Sequence, residues 1–261
     1  MIPGGGVVSS LGFRCVRLVT RLGQIGAFGG RLAAAAAAPP FRFRRILDEV
    51  WSVGVLSLAI VGVSGGAVGM VLGLQGYNTL SRFGAEESLG TVVGLSLIRE
   101  LGPVLTALLV TGRAGSAIAA EIGAMVATQQ LDGLRMLSVD PVHFVAAPKA
   151  LAMAISMPLL SALFITAGLW GGYVVGVAFL GIDGGAYLSG LESSIRFGDD
   201  VVGSLLKSSI FGLLVGLIAT YRGYTAEPNA AGVSRATNST VVAASVSTLI
   251  FDYFITALWG V

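Results

Sequence analysis

The chain has 261 residues, of which 54% are hydrophobic and only 11% are charged. Too little polar surface remains to cover a soluble globule, so the composition indicates a polytopic membrane protein. The formal net charge of +2, with no basic and aromatic cluster, argues against a nucleic-acid partner.

The first 49 residues are predicted to form a cytoplasmic arm with an amphipathic helix. The polar side of this helix holds Arg14, Arg17, Arg21, Gln24 and Arg31, and the apolar side holds Cys15, Leu18, Val19 and Leu22. This pattern is typical of a helix in the membrane interface. A targeting peptide is the alternative, and the arginines that interrupt every apolar stretch argue against it. Pro39 and Pro40 are predicted to end the helix.

Residues 50–261 are predicted to form an all-α membrane domain with five spans. Each span approaches or exceeds the about 20 apolar residues that cross a bilayer. The predicted spans are 50–74, 89–112, 150–180, 201–221 and 237–261. The third contains Pro158 and is longer than one crossing needs, so it is predicted to tilt, kink or extend beyond the membrane.

Lysine and arginine residues are concentrated in alternate loops, which predicts the orientation. Twelve of the sixteen lie before span one, between spans two and three, or between spans four and five. The other loops hold only Arg82 and Arg196. The N-terminus is therefore predicted to be cytoplasmic and the C-terminus to lie outside.

Glycines recur at four-residue spacing in three spans. They are Gly62 with Gly66, and Gly65, Gly69 and Gly73, in the first span, Gly168, Gly172 and Gly176 in the third, and Gly212 and Gly216 in the fourth. Small residues at this spacing allow helices to approach closely. Both packing within one subunit and a dimer interface are consistent with the pattern.

Four charged residues fall inside predicted spans: Arg99, Glu100, Lys207 and Asp252. A charge in the bilayer centre costs about 2.5–3.5 kcal/mol on insertion scales, so such residues usually face a protein interior or a wet cavity. Their charges cancel, and we expect Glu100 to approach Lys207, or Lys207 to approach Asp252. The alternative to a functional role is a buried ion pair that only sets helix register.

The segment 126–141 between spans two and three is predicted to contain a short amphipathic cytoplasmic helix. Its candidate contacts with a partner protein are Leu131, Leu134, Arg135, Met136 and Leu137. A helix that folds back on the membrane surface is the alternative.

The sequence contains no phosphate-binding loop, zinc-protease helix or nucleophile elbow. Cys15 and His143 are the only residues of their types, which excludes an internal disulfide and a Cys/His zinc site built from this chain alone. No enzymatic activity is predicted, so any energy input would come from another subunit or from an ion gradient.

Three stretches closely resemble the MlaE family of permeases. They are MVLGLQGY at 70–77, LIRELGPVLTALLVTGRAGSAIAAEIGAM at 97–125, and FDYFITAL at 251–258. The resemblance implies a homodimeric permease of the Gram-negative inner membrane, with an interfacial helix before five spans and a coupling helix between the second and third. It further implies phospholipid transport by an ABC transporter that maintains outer-membrane lipid asymmetry.

The resemblance also implies partners: a cytoplasmic ATPase (MlaF), a STAS-domain protein (MlaB) and a periplasmic hexamer of MCE domains (MlaD). No cofactor is expected on this chain, with ATP bound by the ATPase. The family's lipid cavity, between two subunits, corresponds here to Leu72, Gln75, Tyr77, Leu80, Phe83 and Leu101. Two rival functions remain: a proton-coupled transporter of a lipophilic substrate using Glu100 and Asp252, and a membrane scaffold that transports nothing.

Overall fold

The structure is a computed structural model that describes residues 7–39 and 43–259, which form helices and turns without a β-strand. Eleven α-helices follow one another along these residues. They are α1 Val7–Ala37, α2 Phe43–Val53, α3 Leu58–Leu80, α4 Leu89–Ser96, α5 Gly102–Val110, α6 Ser116–Ala127, α7 Gln130–Met136, α8 Ala147–Tyr173, α9 Gly184–Ser194, α10 Val202–Tyr224 and α11 Ala230–Trp259. Single π-helical turns join α4 to α5 and α5 to α6.

Five helical stretches among the described residues are long and apolar enough to cross a membrane. The first to fifth spans are Phe43–Phe83, Glu86–Ala127, Val142–Phe179, Phe197–Tyr224 and Ala230–Leu258. Their number and order confirm the predicted all-α membrane fold. Each begins earlier than its apolar run, because polar and charged residues continue the helix beyond it.

The helix α1 ends at Ala37, before the two prolines, as predicted. Its second half packs on the bundle, where Phe28 and Leu32 are buried against the start of the third span. The ring of Phe28 also contacts the rings of Tyr221 and Tyr224, with centroids 5.6 and 5.5 Å away. The side chains of Arg14, Cys15, Arg17, Leu18, Arg21 and Leu22, on which the predicted amphipathic pattern rests, lie outside the described residues.

The helix α2 has two faces of different character. Phe43, Leu47 and Trp51 are each more than 60% exposed and recur every four residues, so they form one apolar face. Arg45 and Glu49 lie on the other face, toward the bundle. An exposed apolar stripe opposite a polar one is the pattern of a helix at the membrane interface. The chain then turns near Gly54 and enters α3.

The glycines of the first and third spans pack against each other within this chain. A Cβ on Gly65 would stand 2.5 Å from the carbonyl oxygen of Phe164, so only glycine permits this approach. Gly69 lies closer still to the backbone of Gly168. Of the two uses left open for the glycine pattern, the structure therefore shows packing within one subunit.

The helix α8 continues through Pro158 without ending, so residues 147–173 of the third span form one uninterrupted α-helix. Beyond it, α9 folds over the same end of the bundle. Tyr187 on α9 is buried beside Tyr173, with ring centroids 5.5 Å apart. Burial raises the pKa of Tyr187 to about 12, because the charged phenolate would lose its hydration there.

Candidate functional site

The charged residues predicted inside the spans meet around the ammonium group of Lys207 on α10. Its Nζ lies 3.0 Å from a carboxylate oxygen of Glu100 and 3.1 Å from one of Asp252. It also donates a hydrogen bond of 2.8 Å to the hydroxyl of Thr256, which in turn donates to Glu100 at 3.1 Å. Both pairings that the sequence left open are present, and one lysine joins the second, fourth and fifth spans.

Pro103 explains why Lys207 also reaches the backbone of the second span. Proline has no N–H, so the carbonyl of Arg99, four residues earlier, loses its usual helical donor. The Nζ of Lys207 donates to that carbonyl at 3.1 Å. The helix widens into a π turn at Leu97–Leu101 at the same point. The proline thus leaves an acceptor for the lysine within the charged cluster.

Arg99 pairs with a different carboxylate. Its Nε donates to Asp200 at 2.7 Å, and the second oxygen of Asp200 accepts the backbone N–H of Arg196 at 2.7 Å. The side chain of Asp200 is fully buried. The predicted fourth span, 201–221, begins one residue after Asp200, so the sequence did not reveal this role. The signal was its spacing: seven residues, or two helical turns, separate it from Lys207 on one helix face.

This Lys207 cluster consists of Arg99, Glu100, Asp200, Lys207 and Asp252. With all five groups ionised its net charge is −1, because three carboxylates face two cations. A cavity of about 30 Å³ beside it has room for one or two water molecules and none for an acyl chain. Among the described residues, no group of His, Cys, Asp and Glu side chains could hold a metal ion. The cluster joins three spans and does not enclose a substrate pocket.

Three of the six predicted lipid-binding residues line one groove between α3 and α4. Leu72, Gln75 and Leu80 face an open volume of about 260 Å³ together with Val92 and Ser96 of the second span.

The other three predicted lipid-binding residues lie outside this groove. Phe83, at the end of the first span, is 80% exposed. Tyr77 and Leu101 are half-buried and pack against the core.

The short helix α7 lies between the second and third spans, where a coupling helix was expected. Met136 and Leu137 are 88% and 74% exposed, and Leu134 is half-buried. Leu131, in contrast, is buried in the bundle core, which corrects the expectation that it is available to a partner. Burial of Leu131 holds α7 to the bundle.

Arg135 also fixes α7. It donates to the hydroxyl of Tyr224 at 2.7 Å and to Asp132 at 2.6 Å. The hydrogen bond with Tyr224, followed by the charge of Asp132, raises the pKa of Arg135 above its ordinary value. Arg135 therefore links α7 to the end of α10.

A second cluster, which sequence analysis missed, surrounds Lys149 at the opposite end of the spans. Its Nζ donates to Glu49 on α2 at 2.7 Å and to Glu121 on α6 at 2.8 Å. The sequence placed Lys149 in a loop, but the third span begins at Val142 and the lysine side chain is only 4% exposed. Two carboxylates compensate its charge, which allows burial.

The family comparison agrees with this architecture. The family described as Permease MlaE matches residues 46–258 of the chain. The chain is 46% identical to the "Intermembrane phospholipid transport system permease protein MlaE" of Haemophilus influenzae, over 96% of each chain.

Two further relatives come from a Rickettsia species and from Arabidopsis. A "Probable ABC transporter permease protein" of Rickettsia bellii is 40% identical over 97% of each chain. The protein TRIGALACTOSYLDIACYLGLYCEROL 1 of Arabidopsis thaliana, which is chloroplastic, is 31% identical over 83% of this chain and 62% of its own length. The family match covers all five spans, and the chain therefore belongs to the MlaE family of permeases, which are membrane subunits of transporters and not catalytic enzymes.

Proposed function

We propose that the chain is the permease subunit of an ABC transporter that moves phospholipids between the inner and outer membranes and so maintains outer-membrane lipid asymmetry. The observation that carries this proposal is the full-length similarity to the Haemophilus protein, whose name states intermembrane phospholipid transport. The name of the Rickettsia relative supports an ABC transporter.

The groove between α3 and α4 supports a lipid path that two copies of the chain complete. Exposing about thirty acyl methylenes to water would cost about 25 kcal/mol, so the path must be apolar. The groove holds about 260 Å³, less than the roughly 300–1,000 Å³ of a pocket for a drug-sized ligand. A diacyl lipid therefore needs a second wall, which a homodimer would supply.

In this proposal Leu72, Gln75 and Leu80 contact the lipid in the groove. Phe83 contributes at the open end of the first span, where it is exposed. Tyr77 and Leu101 would support the lipid-contacting residues from the core side, because both pack on the core next to groove or cluster residues.

The Lys207 cluster would bias the dimer between open and closed cavities. Lys207 holds three spans through ion pairs and a backbone carbonyl, so a change at one span is felt by the other two. Replacing Lys207, Glu100 and Asp252 together by Met, Gln and Asn tests this role. Full transport by an intact triple variant would show that these charges serve only the architecture.

ATP would be hydrolysed by a separate cytoplasmic ATPase, MlaF, that binds α7. The exposed side chains of Met136 and Leu137 are the proposed contacts, and Arg135 with Leu134 would hold the helix in position. MlaB and the MlaD hexamer are the other proposed partners. We place the complex in the Gram-negative inner membrane, with the N-terminus cytoplasmic and the C-terminus periplasmic, on the lysine and arginine bias of the loops.

The decisive experiment reconstitutes the chain with its ATPase and the other two partners in proteoliposomes and follows a labelled phospholipid. Lipid movement that requires ATP supports the proposal. Movement that instead follows a pH gradient would identify a proton-coupled transporter, and no movement under either condition would leave a scaffold.

Two variants of α3 test the lipid path. Leu72→Trp fills the groove, whereas Leu74→Trp adds the same bulk at an exposed position that does not line it. We expect Leu72→Trp alone to slow lipid movement, with ATP hydrolysis retained. Equal transport by the two variants would contradict the assignment of the groove.

Two variants near α7 test the ATPase contact. Met136→Asp introduces a charge at the exposed apolar end of the helix, and Gln130→Asp introduces the same charge at its first residue. We expect only Met136→Asp to weaken co-purification of the ATPase. Equal co-purification with both variants would contradict the contact.

A further inference from the structure

The cluster of Lys149, Glu49 and Glu121 connects three separate helices at one point. Lys149 lies on α8, Glu49 on α2 and Glu121 on α6. Replacing a buried ion cluster by apolar residues is often neutral or stabilising, so stability alone does not account for it. An ion cluster does, however, fix the relative position of the helices that share it.

The burial of the three groups is unequal. Lys149 is 4% exposed, whereas Glu49 is 24% and Glu121 is 59% exposed. An open volume of about 240 Å³ beside them admits water to the carboxylates. Either carboxylate can therefore leave the lysine and be hydrated while the other keeps the buried ammonium paired. The structure shows both contacts at once, and the loss of either one would leave no buried charge unpaired.

Helix α2 is attached to the neighbouring spans along one face. Arg45 lies 3.6 Å from the ring centroid of Phe144 and donates to its carbonyl at 2.9 Å. Glu49 binds Lys149, and the carbonyl of Ser52 accepts a hydrogen bond from Arg113 of the second span. Residues 45, 49 and 52 follow helical spacing, so a single face makes all three contacts.

The order of the helices along the chain links these contacts to α7 on one side and to α3 on the other. Glu121 lies on α6, which ends at Ala127, three residues before α7 begins. Glu49 lies on α2, which continues through the turn near Gly54 into α3 and its groove residues. A displacement of α7 would move the end of α6, and through Glu121 and Lys149 it would reach α2 and then α3, which together make up the first span.

We propose that Lys149, Glu49 and Glu121 form a positioning cluster that transmits movement of α7 to the first span, and so couples ATP hydrolysis to lipid movement. The proposal rests on the ATP-driven transport proposed above. The movement would be transmitted by Lys149, whose ammonium group would exchange between the half-buried Glu49 and the exposed Glu121.

The test uses the complete reconstituted complex and measures lipid moved per ATP hydrolysed. In the variant Lys149→Met/Glu49→Gln/Glu121→Gln, no charge of the cluster remains unpaired, so we expect an unchanged melting temperature. ATP hydrolysis should stay within about twofold, while lipid moved per ATP falls about fivefold or more. The matched control is Glu227→Gln/Arg235→Gln, an exposed ion pair at the same end of the bundle that does not contact α2.

A milder variant, Glu121→Gln, decides the matter if the triple variant fails to assemble. It keeps the pair between Lys149 and Glu49 and changes an exposed side chain, so folding should be unaffected. Lipid moved per ATP should fall about twofold or more. An unchanged ratio, or a loss that accompanies a lower melting temperature, overturns the proposal. Wild-type complex without ATP-dependent lipid movement would instead refute the proposed function.

Discussion

Replacing Lys207 by methionine removes the cation shared by Glu100 and Asp252 while keeping most of the side-chain volume. Breaking a buried ion pair from one side costs about 3–5 kcal/mol. Asp252 is only 19% exposed, so the cost of leaving it unpaired should fall within that range. Glu100 is 39% exposed and recovers part of its hydration, so it should add little. We therefore expect Lys207→Met to lower the free energy of unfolding by about 3 kcal/mol, at the low end of the range.

The assay is thermal unfolding of the purified chain in detergent, where about 3 kcal/mol corresponds to a melting temperature lower by about 6–12 °C. Two controls isolate the charge effect. Adding Glu100→Gln and Asp252→Asn to Lys207→Met removes the unpaired carboxylates and should restore most of the loss.

The second control is Arg222→Met on the same helix, since Arg222 makes no ion pair with the described residues; it should change stability by less than about 0.5 kcal/mol. The reasoning is refuted if Lys207→Met melts with the wild type, or if the triple variant melts as low as the single one.

Three further substitutions follow from the structure. Asp200→Ala removes a fully buried carboxylate and should cost about 1–3 kcal/mol, whereas Asp199→Ala, at a 68% exposed neighbour, should be near neutral in the same melting assay. Gly69→Ala drives a methyl group into the backbone of the third span and should cost about 1–3 kcal/mol, while Gly62→Ala meets only a side-chain methyl at 3.9 Å and should be tolerated; equal melting temperatures would contradict the close packing. The wild type should lose about 3 kcal/mol of stability as the pH rises from about 10 to about 12, because Tyr187 ionises at a lower pH in the unfolded chain than in the folded protein. Tyr187→Phe should abolish this loss. Parallel profiles of melting temperature against pH for the two proteins would count against the prediction.

The two charge clusters differ in how far the sequence revealed them. Lys207 stood out because it interrupts a long apolar run, where a charge needs a partner. Lys149 stands one residue before the predicted span 150–180 and so had the pattern of a loop lysine. The burial of Lys149 depends on Glu49 and Glu121, which lie 100 and 28 residues away along the chain. Only the packing of three helices brings these groups within hydrogen-bond distance.

The glycine pattern shows the same division. Four-residue spacing predicted that the spans approach closely, because small side chains permit it whichever helix is opposite. It could not distinguish a neighbour in the same chain from one in a second copy. The contacts of Gly65 and Gly69 with the third span decided this point.

The sequence by itself determined the number of spans, their order and the presence of paired charges within them. These features follow from the local cost of exposing backbone and charge to hydrocarbon, which composition and length already express. The tertiary structure alone decided which charge pairs with which, that Asp200 completes the Lys207 cluster, and that Leu131 is buried while Met136 is exposed. Those outcomes depend on distances between helices far apart in the chain, and no pattern within a single helix contains them.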